Sequence, residues 1–399
     1  MKTREVKLGE VANVKGGKRI PKGIGLMNIP NGHPYIRVRD LNNKRLLELD
    51  NSYEYVDNET QKVISKYTVK TGDVVLSIVG TIGLVAIVGR TLDGANLTEN
   101  CVKLSSFHGV NRDFLYYYLR SDCGQQEIRC GTVGAVQAKL PIKNIQNIAI
   151  NLPDYTTQER IASLLLSIDR KIELNQKIND NLEQQAVTYF QELYINNANP
   201  MWQIGTISDL GTVVGGSTPS KTKPEYYTNN GIAWITPKDL SINKSKFISH
   251  GENDITELGL KNSSATVMPK GTVLFSSRAP IGYIAIASNE VTTNQGFKSV
   301  VPYLEIGTAF VYFFLKHSLP VIESAASGST FKEISGSAMK NIPAIIPDRS
   351  TLDQFNSFCA PIFAQQKILE DQNYSLAMLR DSLLPKLMSG AIDIASIQL

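Results

Sequence analysis

From Val74 to Val88 the chain carries no charged residue, and from Val273 to Ala287 it carries only Arg278. Each run is broken by a turn, "GTIG" from Gly80 in the first and "RAPIG" from Arg278 in the second. Runs of this length, punctuated by glycine, are too short to span a bilayer. Each reads as two buried strands joined by a turn. A different pattern begins at Gln158. From there to Leu193 the chain has no glycine or proline. Positions 161, 165, 168, 172, 175, 179, 182, 186, 189 and 193 alternate steps of four and three. They read Ile, Leu, Ile, Ile, Asn, Asn, Leu, Ala, Tyr and Leu, the seam of a coiled coil rather than a broad amphipathic face. Asn175 and Asn179 stand in that seam as candidate register-setting residues, since buried asparagine costs stability but selects alignment. Alternatively the seam drifts there to Leu174 and Ile178.

A second seam runs Leu352, Phe355, Cys359, Ile362, Gln366, Leu369, Asn373, Leu376, Arg380, Leu383. Pro361 is expected to kink or restart this helix. Both helices follow a Pro-Asp turn, at Pro153 and Pro347. If the halves fold alike about a pseudo-two-fold axis, these helices run antiparallel, and 36 helical residues extend about 54 Å.

The two halves are copies. "LGEVANVKGG" from Leu8 matches "ISDLGTVVGG" from Ile207, and "YIRVRDL" from Tyr35 matches "WITPKDL" from Trp234, both at the 199-residue spacing of the apolar runs. With small gaps, "TENCVK" from Thr98 matches "TNQGFK" from Thr293, "FLYYYLR" from Phe114 matches "FVYFFLK" from Phe310, and "NIAINLPD" from Asn147 matches "NIPAIIPD" from Asn341. So long a period excludes a solenoid and indicates a duplicated domain. The expected architecture is α+β: two pseudo-symmetric, strand-rich domains, each with a few helices, separated by two long antiparallel coiled-coil helices. The expected boundaries are 1–152, 153–198, 199–347 and 348–399. Short helices are expected near Asp113 to Cys123 and near Thr308 to Ser318.

Composition changes this picture little until charge is divided along it. The net charge is +4. Residues 1–152 hold 21 Lys and Arg against 14 Asp and Glu, a net of +7, and residues 201–346 hold 12 against 10, a net of +2. The segments 153–200 and 347–399 are net −3 (4 against 7) and −2 (4 against 6). The positive charge thus sits in the repeated domains, where a polyanion or solvent alone would suit it. Cys101, Cys123, Cys130 and Cys359 show neither metal-ligand nor disulfide spacing. The absence of a signal-type apolar N-terminus points to a cytoplasmic protein. No phosphate-cradling loop, zinc-protease motif or methyl-donor site is recognisable. Pro153, Asp154, Asp169 and Lys171 fit a loose nuclease template, but the place of Asp169 and Lys171 on the predicted helix favours a solvated helix face.

The chain resembles the specificity subunits of type I restriction–modification systems. The resemblance rests on two variable heads each followed by a regular helix and on the closing "LRDSLLPKLMSGAI" from Leu379. It rests also on "GGSTPSK" from Gly215, "WITPKDL" from Trp234, "SSRAPIGYIAI" from Ser276, "TNQGFKS" from Thr293 and "GSTFKEIS" from Gly328. The first head departs from these motifs at Arg37-Val38-Arg39 and at Ser77 to Thr81, which suggests that the heads read different DNA. The resemblance implies a non-catalytic subunit with no cofactor of its own. It implies double-stranded DNA and two adenine methyltransferase subunits as partners, which bind S-adenosylmethionine and flip the target base. Two restriction/translocase subunits using ATP and Mg are a further possible addition, and no membrane is involved. A fused catalytic restriction or methylation enzyme, or a nuclease, is the alternative.

Bases are read by planar hydrogen-bonding groups and phosphates by cations, hydroxyls and backbone N–H groups. In the first head this selects Lys15, Gly16, Lys18 and Arg19, with Gly16 and Gly17 allowing backbone to approach a phosphate. Arg37 and Arg39 join them as alternate residues on one strand face. In the second head it selects Lys221, Thr236, Lys238, Ser276, Ser277, Arg278 and Lys332, the two serines and Arg278 in a turn before a buried strand. A structural bridge from Arg278 to an acid such as Asp239 is the competing reading. Leu384, Leu387 and Met388 are expected as exposed apolar residues at the methyltransferase interface, or as a small C-terminal core.

Overall fold

The computed structural model describes residues 2–41, 44–328 and 332–394. The chain forms two compact units: residues up to Lys171 together with those from Ser375, and Ile172–Tyr374. Each unit thus contains one head and parts of both long helices.

In the first unit, Thr3–Lys7 pairs antiparallel with Ala149–Pro153 and ties the two ends of the head together. A five-stranded sheet has the order Asn13–Gly16, Cys101–Ser105, Val74–Ser77, Val85–Val88, Leu46–Leu47. The strands Val74–Ser77 and Val85–Val88 are buried at every position because both faces are covered. Val74, Leu76 and Ile87 face a core completed by Phe114 and Leu115 of the helix Arg112–Arg120 and by Ile161 and Leu165. Val75, Ala86 and Val88 face Ile36, Leu47 and Leu97. A second sheet has the order Glu54–Tyr55, Pro34–Ile36, Asn96–Leu97.

The second unit repeats the plan. Gln203–Thr206 pairs with Pro343–Ile346. The five-stranded order is Gly211–Gly215, Lys298–Pro302, Val273–Ser277, Ile281–Ala287, Phe247–Ile248. The smaller sheet gains a strand, Tyr227–Thr228 beside Asn253–Ile255, Ile232–Ile235 and Thr292–Thr293. Its core is more aromatic: Phe190 and Phe355 from the long helices pack on Phe310 and Phe313 of the helix Thr308–His317.

The long helices span Tyr155–Phe190 and Arg349–Met388. Each opens on an aspartate cap: Asp154 accepts from the Thr157 N–H at 3.0 Å and Asp348 from the Thr351 N–H at 2.8 Å. The second helix does not restart at Pro361. Phe355, Cys359 and Ile362 are all buried on one side, and their packing holds the helix through the missing donor. Within the second unit, Asn175 and Asn179 lie buried and Leu174 is exposed, so the seam does not drift. Asn175 Nδ2 donates to Asn373 Oδ1 at 2.9 Å, and Gln366 Nε2 donates to the Asn179 carbonyl at 3.2 Å. Partner numbers fall as seam numbers rise, so the helices are antiparallel there.

Each unit also contains a charge anchored against the helices. In the first, Asp169 is 4% exposed and accepts from Tyr117 Oη at 2.6 Å and Arg380 Nη1 at 2.7 Å. This corrects the expectation of a solvated aspartate. In the second, Glu183 pairs with Lys246 and Lys316. Burial works against ionised Glu183, but the two lysines outweigh it and hold its carboxyl below the usual range. The tail corrects another expectation. Leu387, Met388 and Ile394 are buried in the first unit's core, with Leu384 packed against it, so Leu387 and Met388 present no exposed apolar face. Among the described residues, no helix is long and apolar enough to cross a membrane.

Candidate nucleic-acid interface

In the second head several chain segments converge at the ends of the sheets. The parallel pair Ile232–Ile235 and Thr292–Thr293 ends side by side, and the Asn294 N–H donates to the Ile235 carbonyl at 3.0 Å. The Ser277 N–H reaches the Gly296 carbonyl at 2.7 Å, and the Ile334 N–H reaches the Ser277 carbonyl at 3.1 Å. Together they form a concave surface lined by Thr236, Lys238, Ser241, Arg278, Asn294 and Gly296. Three candidates spread over 43 residues of chain are therefore brought together.

Their individual roles differ. Thr236 caps the helix Pro237–Ile242, and its hydroxyl donates to Asp239 Oδ2 at 2.6 Å. Lys238 is exposed and pairs with Glu252 at 2.5 Å. Arg278 is 38% exposed, and its partner is Glu333, with Nη1 at 3.3 Å, rather than Asp239. Ser276 and Ser277 end the strand Val273–Ser277 instead of forming the following turn, and both are fully buried. Ser276 Oγ donates to the Pro280 carbonyl at 2.8 Å and accepts from the Tyr283 N–H at 2.8 Å. That serine closes the turn and is not available to a ligand. Lys221 and Lys332 are exposed and form no ion pair among the described residues. Residues 329–331 of the "GSTFKEIS" motif lie outside the described residues.

The first head has the same frame with other side chains. Ser77 repeats the serine closure, donating to the Thr81 carbonyl at 2.6 Å and accepting from the Leu84 N–H at 2.9 Å. The strand Pro34–Ile36 ends before Arg37, and Arg39 lies in a helical turn, Val38–Leu41, so the two arginines do not share a strand face. Both guanidinium groups converge on Glu54. Arg37 is bent into this turn because its N–H donates to buried Asp40 at 2.7 Å, as Thr236 N–H does to Asp239. Arg19 pairs with Glu99, whose hydrogen bond raises the guanidinium pKa further. Lys18 Nζ lies 5.6 Å from the Tyr67 ring centre, and Lys15 is exposed. The glycines have a structural purpose. A Cβ on Gly17 would lie 2.0 Å from the Thr98 carbonyl oxygen, and one on Gly216 1.9 Å from that of Asn294. Gly17 lets two backbone segments of the head itself cross. A Cβ on Gly16 meets only the end of Ile142, at 3.4 Å.

Strand register also corrects the matching of the halves. Gly16 pairs with Val102 and Gly215 with Lys298. Val102 is therefore the counterpart of Lys298, one residue away from the match made by letter identity. On this register Glu99 corresponds to Gln295 and Arg19 to Thr218. Thr218 and Gln295 are hydrogen-bonded, so a neutral pair in one head replaces an ion pair in the other. Glu54, Glu99, Asn294 and Glu333 are not among the candidates that residue type alone selects. The repeat would have revealed Glu99 and Asn294, but Glu54 and Glu333 stand out only once their arginine partners are seen.

Comparison with known proteins agrees with this construction. The profile of the family described as type I restriction modification DNA specificity domain matches twice, over residues 2–184 and 199–371. The chain is 43% identical over 162 residues to the type I restriction enzyme MjaIX specificity subunit of Methanocaldococcus jannaschii, covering 40% of this chain and 37% of that protein. It is 23% identical over 341 residues to the HindI specificity subunit of Haemophilus influenzae, covering 67% of this chain and 73% of that one. Among solved structures, the S subunit of a type I system from M. genitalium has the same fold, with a TM-score of 0.57, 16% identity and coverage of 97% and 96% of the two chains.

Proposed function

The chain belongs to the type I restriction–modification DNA specificity family, the non-catalytic part of such enzymes, and on that premise we propose that each head reads one half of a split duplex DNA site. One observation carries the proposal: the same strand frame ends in different polar side chains in the two heads. Arg37 and Arg39 in the first correspond to Thr236 and Lys238 in the second. A shared frame docks similarly on DNA, and side chains at its rim set the bases chosen. The remaining exposed cations, Lys15, Lys18, Lys221 and Lys332, hold phosphates, and Arg19 and Gly16 flank them. Ser276 and Ser277 support the rim from beneath.

On this reading the functional divisions are 1–152 and 199–347 for recognition, with 153–198 and 348–399 as spacer. Asn175 and Asn179 set the alignment of the helices. Two adenine methyltransferase subunits dock on the helical segments and supply S-adenosylmethionine chemistry. In a system that also cuts DNA, two restriction subunits bring ATP and Mg. The complex works in the cytoplasm on the nucleoid. The alternative of a nuclease in this chain loses its support, because Asp154 is spent as a helix cap and Asp169 is buried against Arg380.

The test is methylated-adenine mapping in cells making this chain with its methyltransferase subunit. Arg278→Ala is expected to relax one base pair of one half-site, at a cost in discrimination of about 1–3 kcal/mol. Arg37→Ala with Arg39→Ala is expected to relax only the other half-site. If both variants alter the same half-site, the assignment of one head to each half is wrong.

A further inference from the structure

Strand pairing makes Glu333 a counterpart of Lys139. In the first head the Leu140 N–H donates to the Ile78 carbonyl at 3.0 Å, and Val79 bridges to Lys139. In the second the Ile334 N–H donates to the Ser277 carbonyl at 3.1 Å, and Arg278 bridges to Glu333. Two facing positions on one frame thus hold valine and lysine in one head and arginine and glutamate in the other. Where the arginine appears, its acid appears with it. Lys298 Nζ, 3.7 Å from the same carboxylate, occupies the position of Val102 in the first head. All three members of the cluster are therefore particular to the second head.

The geometry leaves the arginine able to read a base. Glu333 contacts Arg278 through one nitrogen, Nη1, and not as a two-pronged pair. A guanidinium has five donors in a fixed plane, so the remaining edge stays available for the two acceptors of a guanine. An arginine left to itself loses substantial side-chain entropy on being held. A carboxylate that holds it beforehand lowers that cost. The same carboxylate repels phosphate, which weakens binding to DNA of the wrong sequence.

We propose that Glu333 is a positioning residue that presents Arg278 to a guanine, so that the half-site of the second head contains a G·C pair read by this couple. This inference rests on the assignment of Arg278 to base reading, and the experiment separates the two. The full chain, assembled with its methyltransferase subunits, is offered a randomised duplex library, and bound sequences are compared for the unaltered chain, Arg278→Ala, Glu333→Ala and Glu333→Gln. Arg278→Ala is expected to lower the preference for G·C at one position by about 5- to 150-fold, the factor equivalent to a bidentate contact. Glu333→Ala is expected to lower preference at that same position while binding non-specific DNA more tightly, because a negative charge has been removed. Glu333→Gln keeps an acceptor for Arg278 and is expected to retain more of the preference. A merely structural glutamate would weaken specific and non-specific binding together.

If Arg278→Ala relaxes no position, the base-reading assignment of Arg278 fails, and this inference with it. If it relaxes a position that Glu333→Ala leaves unchanged, only the positioning role of Glu333 is overturned. Should Glu333→Ala abolish all binding, Glu333→Gln decides. Retained G·C preference supports the proposal, and equal loss of all binding marks Glu333 as structural and overturns it.

Discussion

The two heads differ least where the backbone is held and most where it ends at the concave rim. Tyr35 Oη donates to the Lys18 carbonyl at 2.8 Å, and Trp234 Nε1 donates to the Ser217 carbonyl at 3.0 Å. Two different aromatic residues thus make one equivalent bond. Asp40 and Asp239 accept from the same backbone position, and Ser77 and Ser276 close the same turn. At the rim, by contrast, Arg19 and Glu99 face Thr218 and Gln295 across the comparison, and Val79 and Lys139 face Arg278 and Glu333. Buried polar groups must find partners or pay a desolvation cost, so their geometry persists even when the residue changes. Rim groups reach water and carry no such obligation. The lesson is that a duplicated frame can be held constant by buried hydrogen bonds while its edge changes freely.

The anchors beneath the heads offer the hardest test of that contrast. Asp169→Ala should cost the first unit about 1.5–3 kcal/mol, since it removes the acceptor of the buried Tyr117 hydroxyl and one of the two acids on Arg380, which keeps Asp381. Lys246→Met should cost the second unit less. A flexible apolar chain can fill the space among Phe313, Phe363 and Tyr312, and Glu183 keeps Lys316. Unit-resolved hydrogen exchange in denaturant would measure both, and equal losses would show that the two anchors are equivalent.

A pH experiment sharpens the same comparison. Glu183 is held below its ordinary value of 4.5 in the folded unit. Its contribution is therefore present above that pH and lost as pH falls through the lower folded value. Glu183→Gln should flatten this acid loss in the second unit while leaving the first unit's acid response unchanged.

The smallest effects belong to the shared frame. Tyr35→Phe and Trp234→Phe each remove one hydrogen bond to an equivalent carbonyl, worth about 0.5–1.5 kcal/mol. Trp234→Phe also removes ring volume, so it should be the more costly of the two. Denaturant midpoints would check this, and a larger loss for Tyr35→Phe would break the equivalence of the two bonds.

Periodicity carried much of the fold. The uncharged run Val74–Val88 could only be strands covered on both faces, and the uninterrupted spacing from Ile161 could only be a long helix with one apolar seam. The interface was harder to read. Arg278, Thr236 and Lys238 were visible as candidates because their residue types suit DNA. Ser276 looked equally suitable, yet its hydroxyl is consumed by a turn that lies only a few residues ahead. Alternation places Arg37 and Arg39 on one strand face, but Asp40 draws the chain into a helical turn directly after Ile36.

By itself the sequence determined that the domain occurs twice, where its strands and long helices run, and which segments hold the positive charge. These depend on local periodicity and on the repeat of residues along the chain. Only the tertiary structure decided that Val102 corresponds to Lys298, that Asp169 is buried rather than solvated, that Leu387 and Met388 enter a core, and that Arg278 belongs with Glu333. Each of those outcomes depends on a partner far away in the chain, and composition or spacing carries no information about which distant group will arrive.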